Sequence, residues 1–452
     1  MIPSITGILE SSRSGRVALA IRGSGWVAAE YGTSQVFRLA STLILARYLL
    51  GPDAFGFVAL VNVFLAGLEM LSDLGVGPNV VQHARGDDPD FLNTAFTIQA
   101  TRGLVLWAAA TALAYPLALF YRQPTLFPLA LAAAVGVVLR GIASPSVWAL
   151  NRRVQRGRLT LLTIAGEATG FGVALGWAAA APSAWALVGS TLANATVFTI
   201  GSYLLPGHHV SPWWDRRAAG DILRFGAWIS VATGTHFLAG QGERLVLGKF
   251  VTPQELGCFS VAVMLATAPS RGLEQMVGQV LFPLIAQSVR QDPQAAARYY
   301  KRARLALLGI SLLMVVGSIS LSQRLVALLL PPQYAMTGWM LQLLGVRAAF
   351  DVFGAPTSAL MLASGLSVYS AVGNMTRLLF LAAGLYVALG WFGLREAVWV
   401  LAMSPVAVYF PAMLVGMVKH FRSLVWAELV SFVAFLASVG MMALGWRMIG
   451  GG

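Results

Sequence analysis

Two stretches decide the fold: ARYLLGPDAFGF at residues 46–57 and GKFVTPQELGC at residues 248–258. Each runs small residue, cation, aromatic, aliphatic, then proline, a polar residue and a glycine soon after. Pro52 answers Pro253, and Gly56 answers Gly257. Proline is tolerated in a first helical turn because its missing N–H had no partner there. Glycine lets paired membrane helices approach. Each copy closes one apolar run and opens the next, so each reads as a tight turn between spans. Pro52 and Pro253 are 201 residues apart. Six spans separate the copies, and an even number preserves direction. The two halves therefore read as parallel repeats about an axis along the membrane normal.

Working outward, a spanning helix needs ~20 mostly apolar residues. Thirteen runs qualify: 26–48, 54–76, 98–120, 125–147, 160–181, 183–204, 222–246, 256–280, 304–328, 338–363, 367–389, 392–415 and 423–446. The tail from Trp446 to Gly452 supplies no fourteenth, and twelve spans result if one run is interfacial or re-entrant. The expected class is all-α: a polytopic membrane protein with two pseudo-symmetric six-helix lobes and one or two further C-terminal helices. The expected divisions are an N-terminal segment 1–25, an N-lobe 26–204, a linker 205–221, a C-lobe 222–415 and an extra helix with its tail, 416–452.

Composition agrees. Of 452 residues, 57% are apolar and 11% charged, against ~45–50% and ~25% in soluble domains. Mean hydropathy is +0.72. A soluble enzyme is thereby excluded. The net charge of +13 sits in short breaks between apolar runs, where the positive-inside rule accounts for it without nucleic acid. With the N-terminus in the cytoplasm, 17 Lys and Arg fall inside and six outside; the inside group includes Arg152, Arg153, Arg156, Arg158 and Arg304. The N-terminus is expected inside. A single cysteine, Cys258, excludes an internal disulfide framework. The first residues lack the pattern of a signal peptide; Arg13, Arg16 and Arg22 among apolar residues suggest a segment on the membrane surface. The longest gaps, 77–97 and 281–303, are mixed in character. The second reads as an amphipathic helix with a basic end, resting on the leaflet or linking two lobes.

Charges inside apolar runs are costly and are read first as functional. The first half holds Glu30, Arg38, Glu69, Asp73, Arg140 and Glu167. Glu69 and Asp73, four apart, would share a helix face and repel unless a cation or proton joins them; Asp73 also suits a helix end. The second half holds Glu243, Arg244, Arg271, Glu274, Arg347, Asp351 and Arg377. Arg271 with Glu274, and Arg347 with Asp351, are spaced to neutralise each other on one face or to line a site. Arg38, Arg140 and Arg377 have no such neighbour, so they pair across helices, reach an interface or line a hydrated cavity. Guanidinium offers a rigid donor fork to phosphate oxygens. Arg38 and Arg377, then Arg140, Arg271 and Arg347, are candidate contacts for a diphosphate. Glu30, Glu69 and Asp351 are candidates for ion coupling. Gly166, Gly170, Gly172 and Gly176 form interleaved GxxxG spacings that suit helix packing, while Pro116, Pro269, Pro356 and Pro405 lie within runs and should kink them. There is no P-loop sequence and no HExxH, and His208 and His209 suit a solvated turn better than a metal. No cofactor or metal is expected.

Residues 38–56, LSDLGVG at 71–77, VVQHARGDDPDFLNTAF at 80–96, ERLVLGKFVTPQELGCFSVA at 243–262 and LFPLIAQ at 281–287 together resemble the bacterial polysaccharide flippases. These belong to the multidrug/oligosaccharidyl-lipid/polysaccharide exporter superfamily, and the likeness covers roughly residues 20–330. Glu243-Arg244 stands where many members have Asp followed by Arg. The resemblance implies two six-helix lobes arranged as a V around a central cavity and residence in the inner membrane. It also implies flipping of an undecaprenyl-diphosphate-linked oligosaccharide to the periplasmic leaflet for exopolysaccharide, capsule or O-antigen synthesis. A polysaccharide polymerase and a chain-length regulator would be partners. The residues alone leave two alternatives open, an ion-coupled exporter of small molecules or drugs and an integral-membrane glycosyl- or acyltransferase. The transferase would need catalytic groups on loops, and Asp87, Asp88 and Asp90 lack a partner set.

Overall fold

The computed structural model describes residues 5–448 apart from 154, 207–210, 410–412 and 414. Seventeen α-helices follow in chain order: α1 (Ile5–Tyr48), α2 (Pro52–Leu71), α3 (Val76–Gln82), α4 (Pro89–Tyr121), α5 (Leu126–Gly141), α6 (Ser146–Arg152), α7 (Arg156–Ala180), α8 (Ala184–Tyr203), α9 (Arg216–Phe250), α10 (Pro253–Met276), α11 (Phe282–Gln291), α12 (Pro293–Leu329), α13 (Met336–Ala363), α14 (Ser367–Trp391), α15 (Leu394–Val408), α16 (Val415–His420) and α17 (Arg422–Met448). No strand occurs among the described residues. Among the described residues, eight helices are long and apolar enough to cross a membrane, or nine with the bent pair α5 and α6. The remaining predicted runs fall on α1, α9, α13 and α15; the first three carry Glu30 and Arg38, Glu243 and Arg244, and Arg347 and Asp351. This is an all-α, multi-pass membrane protein.

The chain forms two compact units, Met1–Phe237 and Leu238–Gly452. Helix starts in the first recur 201 to 211 residues later in the second: Pro52 and Pro253, Pro89 and Pro293, Leu126 and Met336, Arg156 and Ser367, Ala184 and Leu394. Packing recurs in the same order. In the first unit α4 packs on α5, α7 on α8, and α5 on α8; in the second α12 packs on α13, α14 on α15, and α13 on α15. Pro52 and Pro253 each open a helix, with Gly56 and Gly257 buried one turn further on. Thr252 adds a capping box: its hydroxyl accepts from the Glu255 N–H, and the Glu255 carboxylate accepts from the Thr252 N–H.

Several boundaries differ from the sequence reading. Helix α2 stops at Leu71, where the Ser72 hydroxyl donates back to the Leu68 carbonyl at 2.6 Å. Asp73 lies beyond the helix and accepts the Gly75 N–H at 2.9 Å, and Gly75 has φ +55°, a conformation that favours glycine. Glu69 and Asp73 therefore do not share a helix face. The run 125–147 is broken, with α5 and α6 bent by 57° at the Ser144-Pro145 step. Proline there supplies no helical N–H, and the Ser144 N–H instead donates to the Ser202 hydroxyl at 2.8 Å. The gap 281–303 is helical: α10 continues through a π-helical turn, Val277–Leu281, into α11, and only Asp292 separates α11 from α12. The Asp292 carboxylate caps α12 by accepting from Gln294 and Ala295. Part of the apolar side of this segment packs inward, with Ile285 and Tyr300 fully buried in the second unit's core, while Leu284 and Tyr299 stay exposed.

Helix α1, with 44 residues, is about 66 Å long at ~1.5 Å per residue, roughly twice a ~30 Å hydrocarbon core, so much of it lies outside hydrocarbon. The side chains of Arg13, Arg16 and Arg22, and both His208 and His209, lie outside the described residues. Residues 211–237 pack into the first unit. Asn93 exchanges two 3.0 Å hydrogen bonds with Ser211, and the Thr97 and Thr94 hydroxyls accept from the Trp213 and Asp215 N–H groups. Further along, the Ser230 and Thr233 hydroxyls donate to the carbonyls of Asp73 and Met70, and Phe237 closes on Gly67.

Candidate functional site

The first unit contains an open-sided cavity of about 510 Å³ lined from α1, α5, α7 and α8. Arg38 of α1 and Arg140 of α5 supply its cations, and Glu167 of α7 its carboxylate. Ser34, Ser41, Thr163, Ser190, Thr191 and Asn194 add hydroxyls and an amide, and Phe37, Phe171 and Phe198 add rings. The sequence builds this locally by placing small residues where α7 meets α8. A Cβ on Gly170 would stand 2.9 Å from the Ser190 carbonyl oxygen, and one on Gly166 3.3 Å from the Asn194 amide. Gly172 and Gly176 face open space, so only the first glycine spacing is used for close packing.

Arg38 donates to the Gln35 side chain one turn earlier. Glu167 stands within electrostatic reach of Arg38 and Glu30, and accepts from the Ser34 hydroxyl. Its Oε2 is buried with no hydrogen-bond partner among the described residues. Glu30 accepts from the Thr160 hydroxyl at 3.0 Å and ties α1 to α7. Glu69 is not in the cavity lining. Its backbone carbonyl and that of Ser72 instead accept from Arg102, a guanidinium that the sequence reading passed over. Arg102 thereby caps the end of α2.

The other three arginines named from sequence meet in the second unit. Arg347 donates to Glu243 at 2.6 Å, with the carboxylate 4% exposed, so its partner lies on α9 and is not Asp351 one turn away. Asp351 faces the charges of Arg377 and Arg347. Arg377 stands near Asp351, Glu243 and Glu274, and its Nε is buried without a hydrogen-bond partner among the described residues. Arg244 donates to Gln241 at 2.5 Å and feels Arg271. Four guanidiniums thus face three carboxylates, and most of their attraction is across helices.

A third polar group was missed. Arg304, counted above among the cytoplasmic cations, is 1% exposed and donates to Glu428 of α17 at 2.8 Å. Glu428, 0% exposed, also accepts from Thr357 at 2.8 Å and from the hydroxyls of Tyr300 and Tyr409. Arg304 lies over the Phe353 ring at 3.5 Å from its centroid. Burial without partners would be prohibitive for either charge; each supplies the other's. The available signal was Glu428 itself, a lone carboxylate inside the run 423–446.

The acidic run also finds its partners. Asp87 pairs with Arg152 at 2.8 Å and Arg153 at 3.0 Å, and Arg85 pairs with Asp88 and Asp215. Partial burial raises the Asp87 carboxyl, but hydrogen bonds from Arg153 and Arg152 outweigh it and hold the group below its usual range. The Arg217 N–H, then the Arg85 side chain, hold Asp215 low as well. Arg152 further donates to the carbonyls of Val80, Val81 and His83. These residues fasten loops together and are a structural clasp.

Residues 44–337 match the model of a family described as polysaccharide biosynthesis protein. The chain belongs to that family. Among curated relatives, the lipopolysaccharide biosynthesis protein WzxC of Escherichia coli is 23% identical over 350 residues, 76% of this chain and 70% of that protein. The teichuronic acid biosynthesis protein TuaB of Bacillus subtilis is 19% identical over 384 residues, 83% and 78% of the two chains. The fold resembles that of the lipid II flippase MurJ in an inward closed conformation, with a TM-score of 0.66 at 11% identity over 95% of this chain and 97% of that one.

Proposed function

We propose that this polysaccharide biosynthesis protein flips an undecaprenyl-diphosphate-linked oligosaccharide from the cytoplasmic to the periplasmic leaflet of the bacterial inner membrane, by alternating access and as a transporter with no chemical step of its own. The observation that carries the reading is the cationic, hydroxyl-lined cavity around Arg38 and Arg140 among the apolar helices of the first unit. Diphosphate charge and sugar hydroxyls are expensive in hydrocarbon, and such a lining replaces the water they lose. The prenyl tail can stay in lipid throughout. Within the second unit, Arg271, Arg347 and Arg377 are a further candidate group for phosphate contact, and Asp351 and Glu30 are carboxylates able to trade a proton or cation as their surroundings change. Family membership and the names borne by WzxC and MurJ support the substrate class. The product would feed a polymerase and chain-length regulator outside the membrane.

The test is reconstitution in liposomes with a fluorescent prenyl-diphosphate oligosaccharide, scored by quenching from outside. Protein-dependent flipping of that lipid is expected. Transport of small cationic drugs with no lipid flipping would overturn the reading in favour of an exporter. Orientation is tested separately with Gln155→Cys in a Cys258→Ser background. With the N-terminus cytoplasmic, an impermeant thiol reagent leaves position 155 unlabelled in intact cells, and labelling would reverse the topology.

A further inference from the structure

The cavity of the first unit contains a group that a diphosphate does not explain. Glu167 is a carboxyl group beside Arg38 and lines the space that would take an anionic ligand. Its buried Oε2 has no hydrogen-bond partner among the described residues, a state that costs free energy unless a donor arrives. Sugar hydroxyls and amide N–H groups are such donors, and phosphate oxygens are not. Asn194, across the α7–α8 contact, adds both a donor and an acceptor. Phe171, set edge-on against Phe37 at 6.3 Å between centroids, presents apolar surface to the C–H face of a ring. The volume of about 510 Å³ lies within the ~300–1,000 Å³ of typical small-molecule pockets, and the cavity is open on one side, so a longer chain can leave it. A hexosyl diphosphate is of this size, and a chain of several sugars is larger.

We infer that the first-unit cavity reads the single sugar attached to the diphosphate, with Glu167 and Asn194 as the groups that set its specificity and Arg38 and Arg140 as the groups that hold the phosphates. The inference rests on the proposed flippase function. It divides the cavity by charge: the cations fix the part common to all such carriers, and the carboxylate and amide test the part that varies. Sugars further along the chain lie outside this cavity and are read less stringently.

The experiment measures binding to purified full-length protein in lipid nanodiscs. The probes are a short-chain prenyl diphosphate without sugar and a panel of prenyl-diphosphate monosaccharides differing at one ring substituent. Wild type is expected to bind the sugar-free probe and to separate the best from the worst sugar by at least about tenfold, the worth of one hydrogen bond to a charged acceptor. Glu167→Gln and Asn194→Ala should each cut that separation to about threefold or less, by changing the sugars relative to one another rather than by one factor common to every probe. Arg38→Gln should weaken every probe alike. The inference is overturned if Glu167→Gln and Asn194→Ala both keep the wild-type separation, or if both weaken the sugar-free and sugar-bearing probes by one common factor, as a merely structural role would. Equal binding of all sugars by wild type defeats the inference and leaves the flippase function standing. No binding of any prenyl diphosphate by wild type defeats both. Should Glu167→Gln fail to fold, Asn194→Ala carries the test by itself.

Discussion

Replacing Glu428 by Gln removes the carboxylate that neutralises Arg304 and that collects donors from Thr357, Tyr300 and Tyr409. Both members of the pair are within 2% of full burial, so water cannot take over. Breaking such a pair by changing one partner costs about 3–5 kcal/mol. Gln keeps one acceptor oxygen and the volume, which puts the cost near the lower bound. About 3 kcal/mol corresponds to roughly 100-fold in the equilibrium that docks α17 on α12 and α13. Hydrogen exchange followed by mass spectrometry reads that equilibrium directly: amides of α17 and of the first turns of α12 should exchange up to about 100-fold faster in the variant. Arg304→Lys should lie between, because it keeps a charge and loses the fork that meets Glu428, Tyr409 and the Phe353 carbonyl together. The double replacement Arg304→Met with Glu428→Leu should cost less than the sum of the singles, since no charge is stranded. Unchanged exchange in Glu428→Gln, in the same lipid, would refute the claim that this pair holds the C-terminal helix.

Arg38→Gln and Arg377→Gln should each lower the initial rate of flipping in liposomes at least about tenfold at equal membrane expression, as the loss of one charge-assisted contact implies; wild-type rates in both would remove the phosphate-contact role. Gly170→Ala should destabilise the α7–α8 pair, its Cβ falling 2.9 Å from the Ser190 carbonyl oxygen, while Gly172→Ala, which meets nothing within 4 Å, should leave the melting temperature in detergent unchanged. The clasp of Asp87 and Asp215 should respond to acid only. Both carboxyls are held below their usual range, so their contribution is complete above about pH 4, the ordinary carboxylate value, and is lost as pH falls through the lower folded values. Limited proteolysis of the clasped loops by an acid-active protease should rise below about pH 4, whereas a rise between pH 5 and 8 would contradict the sign.

The helices were legible because hydrocarbon leaves the chain little choice: ~20 apolar residues closed on their own hydrogen bonds. Among the described residues, each of the thirteen runs overlaps a helix, one of them broken between α5 and α6. Their ends were not legible, because α4, α9 and α12 continue into polar sequence that carries no hydropathy signal, while α2 stops short through local bonds at Ser72 and Asp73. The charges were visible as exceptions to apolar runs, and Arg38 with Arg140 do share one cavity. Their partners were hidden by sequence distance. Spacing suggested Arg347 with Asp351, but helix packing brings Glu243 to Arg347 from 104 residues away. The pairing of Arg304 was not legible because a cation at the edge of an apolar run looks the same whether it faces water or a buried carboxylate 124 residues on.

The hold that Asn93, Thr94 and Thr97 keep on residues 211–215, with Phe237 seated against Gly67, bears on how the protein is made. During synthesis the first unit lacks its last packed segment until the ribosome has passed residue 237. A chain released at the polar stretch 205–221 would leave Ala218, Ala219 and Ile222 missing from the core they fill with Val80 and Phe91. Two co-expressed fragments would then each start life with an open face. A division after Phe237 keeps those residues with the first fragment, which can then fill its own core.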